Sequence, residues 1–136
     1  MNLFVYGSLM FDVVWQRIAR TSNPTLPATA QGWSVRSLRD VSYPGLIPAP
    51  HDSLASGLLR SNVSPIALAR LDAFEGPDYL RQLIAITMPD GATSSAWAWI
   101  VSPAARHLVL PDPWDPDRFA RDSLTDFIRN TTGDPP

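Results

Sequence analysis

The chain has 136 residues, 45% of them hydrophobic, with a net charge of −2 and a pI near 5.5. That suits one domain able to bury its own core, and it leaves no basic footprint for nucleic acid. Cysteine is absent and all eleven basic residues are arginine, which excludes thiolate chemistry, cysteine-built metal sites, Schiff-base lysines and the lysine of a phosphate-binding Walker loop.

The N-terminal segment Asn2–Tyr6 reads as a short buried strand that Gly7-Ser8 breaks. It has no basic region ahead of it and is no signal peptide, so a cytoplasmic location is the expectation. Phe11, Val14, Trp15 and Ile18 then fall at helical spacing, giving strand, tight turn, helix. Residues 21–27, with two prolines, read as a loop, and residues 30–40 as a strand blurred by Gly32 and the arginines. The stretch Ser42–Pro50 is proline-rich and reads as extended rather than regular.

Residues 54–60 fit a strand. Ser64-Pro65 is an N-cap with proline at the first helical position, and the helix it opens ends at Gly76-Pro77. Residues 79–88 and 92–101 are β-rich and joined by Pro89-Asp90-Gly91, a hairpin signal. A proline-rich connection follows Ser102, and Asp115-Pro116 opens a last helix with Ala120, Leu124, Phe127 and Ile128 on one face. Residues 131–136 read as a polar tail to a single domain over 1–130. Five or six short strands and three helices, in no regular βαβ order, give an α+β class with a small, curled, mixed sheet. No apolar run approaches the ~18 residues of a membrane span.

Two segments are placed to carry chemistry. In Tyr6–Met10 (YGSLM), a strand ending in Gly-Ser and entering a helix points several backbone N–H groups one way, which suits an anion such as a carboxylate. Gly7 permits close backbone approach, and Ser8 either bonds a ligand or simply caps the helix. The second is Leu71–Arg81 (LDAFEGPDYLR). Twelve of the thirteen acids are aspartate, and the one glutamate, Glu75, stands at a helix C-terminus, where the backbone favours cations rather than acids. If Glu75 faces a cavity lined by Phe74 and nearby Trp or Tyr rings, desolvation raises its pKa toward a range useful for proton transfer. The plainer alternative is a solvated acid or an ion pair with Arg70 or Arg81. Trp97 and Trp99 alternate on a strand, either walling a pocket or packing in the core. His51 and Asp52 read as surface, and neither His51 nor His107 has a metal-pair or catalytic-triad spacing.

Together LFVYGSLM, YPGLIP, the glycine of ASGLL, LDAFEGPDYLR and the closing hairpin resemble, in order and spacing, the γ-glutamylcyclotransferase-like superfamily, particularly its AIG2-like, γ-glutamylamine cyclotransferase-type branch. The family often has Tyr in the last core strand, where this chain has Trp97 and Trp99. The resemblance implies a small mixed, largely antiparallel β-barrel flanked by helices. It implies that Tyr6, Gly7, Ser8, Leu9 and Tyr79 bind the amino-acid end of a γ-glutamyl substrate and that Glu75 acts as general acid/base. The substrate's own α-amine then attacks its γ-carbonyl, releasing an amine and 5-oxoproline, so the enzyme needs neither metal nor cofactor. The expected partner is this small molecule, not nucleic acid or membrane. A non-catalytic binder of an amino-acid-like metabolite on the same fold is the alternative.

Overall fold

The computed structural model describes residues 1–131. In chain order the elements are β1 (Leu3–Val5), a 3₁₀ turn (Ser8–Met10), α1 (Asp12–Ala19), β2 (Thr25–Gln31), β3 (Trp33–Leu38), β4 (Pro44–Pro48) and β5 (Leu54–Arg60). Then come α2 (Pro65–Glu75), β6 (Tyr79–Thr87), β7 (Thr93–Val101), a second 3₁₀ segment (Pro103–Leu108), β8 (Val109–Pro113), α3 (Pro116–Asp122) and α4 (Leu124–Thr131). All but the first residue of the tail expected over 131–136 lies outside the described residues. No helix among the described residues is long and apolar enough to cross a membrane.

Five strands close a barrel in the order β1-β5-β2-β6-β7, and β4-β3-β8 form a separate three-stranded sheet. The neighbouring barrel strands are antiparallel except where β7 returns to β1 through the parallel pair Leu3–Trp97. The fold is therefore α+β, as the sequence pattern suggested, with the mixed, largely antiparallel barrel that the family resemblance implied. Period-two alternation sorts the side chains into two cores. Phe4 and Tyr6 join Ala96, Ala98 and Ile100 in a cluster to which no helix contributes, while Leu3 and Val5 join Trp99, Val101 and the helices' Trp15, Leu71 and Phe127.

The structure adds strands where proline argued against them. The loop expected over 21–27 gives way at Thr25 to β2, and the run expected over 30–40 is divided at Gly32 between β2 and β3. Pro27 is accommodated because β2 pairs with β6 only at Thr29–Thr87, leaving much of that side of the strand unpaired. β4 lies within the proline-rich 42–50 stretch and β8 within the connection after Ser102. Both are edges of the small sheet, where a missing N–H costs no ladder bond. The last predicted helix is two, broken at Ser123.

Candidate active site

Helix α2 begins where its sequence says it should, with the Ser64 hydroxyl accepting from the Ala67 N–H at 3.1 Å and Pro65 in the first turn. It ends at Gly76, whose φ of 73° and ψ of −169° belong to a region essentially reserved for glycine. That turn leaves Glu75 as the last helical residue and starts β6 at Tyr79.

Glu75 lines a cavity of about 120 Å³ together with Tyr6, Gly7, Ser8, Leu9 and Tyr79. All six residues singled out from the sequence thus meet in one place. The volume suits an amino-acid-sized group and is well under the ~300–1,000 Å³ of drug-sized ligand pockets. Tyr43, Phe74, Asp78, Trp99 and Phe127 complete most of the wall.

Glu75 is half-buried in a cavity lined by aromatic residues, and burial pushes its carboxyl up to about 8, with Asp72 one turn back adding to the rise. No hydrogen bond or ion pair to the Glu75 side chain is made among the described residues. The arginines that could have paired with it are engaged elsewhere: Arg81 Nε donates to Asp72 Oδ1 at 3.2 Å, and Arg70 donates to the Ala19 carbonyl at 3.1 Å. Asp72 Oδ1 also accepts from Trp99 Nε1 at 2.8 Å, which fixes the indole against the cavity. Of the two tryptophans on that face, Trp99 lines the cavity, while Trp97 lies under the Arg81 guanidinium at 5.0 Å.

Both tyrosines donate to backbone carbonyls at 2.6 Å, Tyr6 to Trp99 and Tyr79 to Pro44. Burial raises both phenols above their ordinary value, so they stay protonated and neutral in the cavity wall.

The YGSLM segment is not a direct strand-to-helix entry. A 3₁₀ turn over Ser8–Met10 intervenes, and α1 begins only at Asp12. Ser8 caps neither element, contrary to its simplest reading. Met10 N–H donates to the Gly7 carbonyl at 3.0 Å and Phe11 N–H to the Ser8 carbonyl at 3.2 Å. The N–H groups of Ser8 and Leu9, at the start of the turn, have no backbone or side-chain acceptor among the described residues. An anion at this turn would be held by these two donors alone, because a three-residue turn supplies no appreciable dipole. Gly7 is required for a reason beyond ligand approach: a Cβ there would stand 2.8 Å from Pro44 Cγ.

Several site residues had no sequence signal of function. Tyr43 comes from the proline-rich stretch, and Phe127, from α4, was legible only as an apolar helix face. No group of three or more His, Asp or Glu side chains is placed to hold a metal ion among the described residues.

Comparisons with known proteins bear on the same segments. Residues 3–116 match the family model described as γ-glutamyl cyclotransferase, AIG2-like. The AIG2-like protein D of Arabidopsis thaliana is 32% identical over 136 residues, covering 96% of this chain and 86% of that protein. The solution structure of another Arabidopsis thaliana protein superposes with a TM-score of 0.73 at 24% identity, covering 94% of this chain and 85% of its own. A yeast γ-glutamyl cyclotransferase specific to glutathione superposes with a TM-score of 0.68 at 12% identity, covering 96% and 87% of the two chains, a likeness of fold.

Proposed function

The chain belongs to the γ-glutamyl cyclotransferase, AIG2-like family, and from that premise we propose that it releases an amine and 5-oxoproline from a γ-glutamyl substrate, with Glu75 as general acid/base. The observation that carries the proposal is one cavity lined both by Glu75, whose carboxyl has no partner among the described residues, and by Ser8 and Leu9, whose N–H groups have no acceptor among them.

In this reading the substrate's α-carboxylate takes the two N–H donors, and its γ-carbonyl lies beside Glu75. The glutamyl chain is folded so that its α-amine stands in attack position on its own γ-carbonyl, which turns a two-body reaction into an internal one. A bond forms from the α-nitrogen to the γ-carbon, and the bond from that carbon to the leaving nitrogen breaks. Ionised Glu75 takes the proton that the α-amine sheds and returns it to the departing amine, so the acid ends as it began. The nucleophile belongs to the substrate, in keeping with a chain that has no cysteine or lysine. The leaving amine extends past Tyr43, Asp78 and Phe127.

Glu75→Gln preserves shape and removes the titrating group. The variant is expected to lose 5-oxoproline release by ~10²–10⁴-fold, the usual worth of a positioned acid/base, while amide NMR shows an unchanged fold. Wild-type kcat/KM is expected to rise as pH passes through about 8, where Glu75 gives up its proton. Undiminished turnover in the variant would refute the role. Binding of γ-glutamyl compounds with no product at any pH would leave a binding module instead.

A further inference from the structure

Arg60, the last residue of β5, is 1% exposed, a position a charged side chain occupies only with full compensation. Its compensation comes almost entirely from one place. Nε and Nη2 donate to the Leu9 carbonyl at 3.2 and 3.0 Å, and Nη2 donates to the Met10 carbonyl at 3.1 Å and to Asp12 Oδ1 at 3.1 Å. The guanidinium lies 4.6 Å above the Trp15 ring, which holds its plane. The carbonyls of Gly7 and Ser8 are used by the turn itself, so Arg60 takes the two that the turn leaves over.

Two consequences follow. A planar fork on consecutive carbonyls fixes the rotation of those peptide units, whose Met10 and Phe11 N–H groups in turn hold the Gly7 and Ser8 carbonyls. Those carbonyls share their peptide planes with the Ser8 and Leu9 N–H groups, so the fork orients the free donors through the turn's own hydrogen bonds. The positive charge is also only partly cancelled, because its carboxylate partner Asp12 is 76% exposed and well solvated. The turn that lines the cavity therefore has a buried cation behind it. Burial pulls the Arg60 pKa down and Asp12 pulls it back up, but an arginine remains charged throughout the working range.

We propose that Arg60 is the positioning residue of this site, holding the Ser8–Met10 turn from behind and supplying the counter-charge that sets affinity for the substrate's α-carboxylate without touching it. The inference rests on the function proposed above, which places that carboxylate on the turn.

The test measures binding in the Glu75→Gln background, where turnover is blocked, using γ-L-glutamyl ethylamide and its α-carboxamide as probes and following the Ser8 and Leu9 amides by NMR. Arg60→Lys keeps the charge and loses the fork, and Arg60→Met loses both. The acid probe is expected to bind about tenfold more weakly in the first and about a hundredfold more weakly in the second, as for lost charge-assisted hydrogen bonds. The carboxamide, which meets the same N–H groups without a charge, is expected to lose about threefold in Arg60→Lys and no more in Arg60→Met, since it has no charge for the guanidinium to act on. Asp12→Asn frees the cation and is expected to tighten the acid probe about twofold, a surface-charge effect. That last result decides the matter if Arg60→Met does not fold, since a merely structural bridge predicts no tightening. Equal losses for acid and amide overturn the inference, as does weaker acid binding in Asp12→Asn or Ser8 and Leu9 amides that ignore the acid at millimolar concentration. Binding that follows this pattern beside a wild type that releases no 5-oxoproline sinks the enzymatic reading alone. Release that is indifferent to the α-carboxylate sinks the Arg60 role alone.

Discussion

Glu75 is unusual in holding its proton to about pH 8, and that has a cost the fold must carry. Its ordinary value is 4.5, so between pH 4.5 and 8 the folded chain keeps a proton that the unfolded chain has released. Stability therefore falls as pH rises across that window, the reverse of the usual carboxylate. Glu75→Gln removes the effect. Its melting temperature is expected to match wild type near pH 4.5 and to exceed it by several degrees at pH 8, less than the full shift would give because the half-buried carboxyl is screened by solvent. Melting curves at several pH values check this, and a gap that does not change with pH would mean that Glu75 is not desolvated. Much of this residue's character was legible beforehand: a lone glutamate among aspartates, at a helix end that favours cations, has little local reason to be there. Its partners were not. Asp72 acts on Glu75 by helical spacing and on Trp99 across 27 positions, and only the second contact shows that it organises the site. Arg60 meets the turn across 51 positions, which no periodicity encodes.

The elements divide by the kind of signal that each carries. β5 and α2 fall where their patterns put them, because alternation, a Ser-Pro cap and a Gly-Pro stop are local. β4 and β8 were hidden because their prolines read as breaks, and only the sheet order makes them tolerable edges. The C-terminal helices carry the largest revision of role. Phe127 of α4 stands edge-on to Tyr43 and Phe74, at centroid distances of 6.1 Å for each, and so forms one wall of the cavity. Phe127→Ala is expected to cost ~3 kcal/mol, as for a large aromatic removed from a packed cluster. It should raise KM more than it lowers kcat, because the wall encloses substrate and moves no proton. Denaturant unfolding and steady-state kinetics check both parts, and an unchanged KM would remove α4 from the site.

At the scale of the molecule, the site exists because the barrel closes. The β1–β7 pairing joins Leu3 to Trp97, and it is this closure that carries the turn after β1 to Trp99 and so to Asp72 and the end of α2. Sequence order placed YGSL and Glu75 nearly seventy residues apart, and their meeting was legible only through resemblance to a family. The proposed mechanism dispenses with a protein nucleophile because the substrate would bring its own, and this separates ring closure from hydrolysis. Turnover of a γ-glutamyl amine in ¹⁸O-labelled water measures that separation directly. Attack by the substrate's own amine predicts 5-oxoproline without label and no glutamate above background. Glutamate carrying one ¹⁸O in its γ-carboxyl would show that water is the nucleophile and would contradict the account.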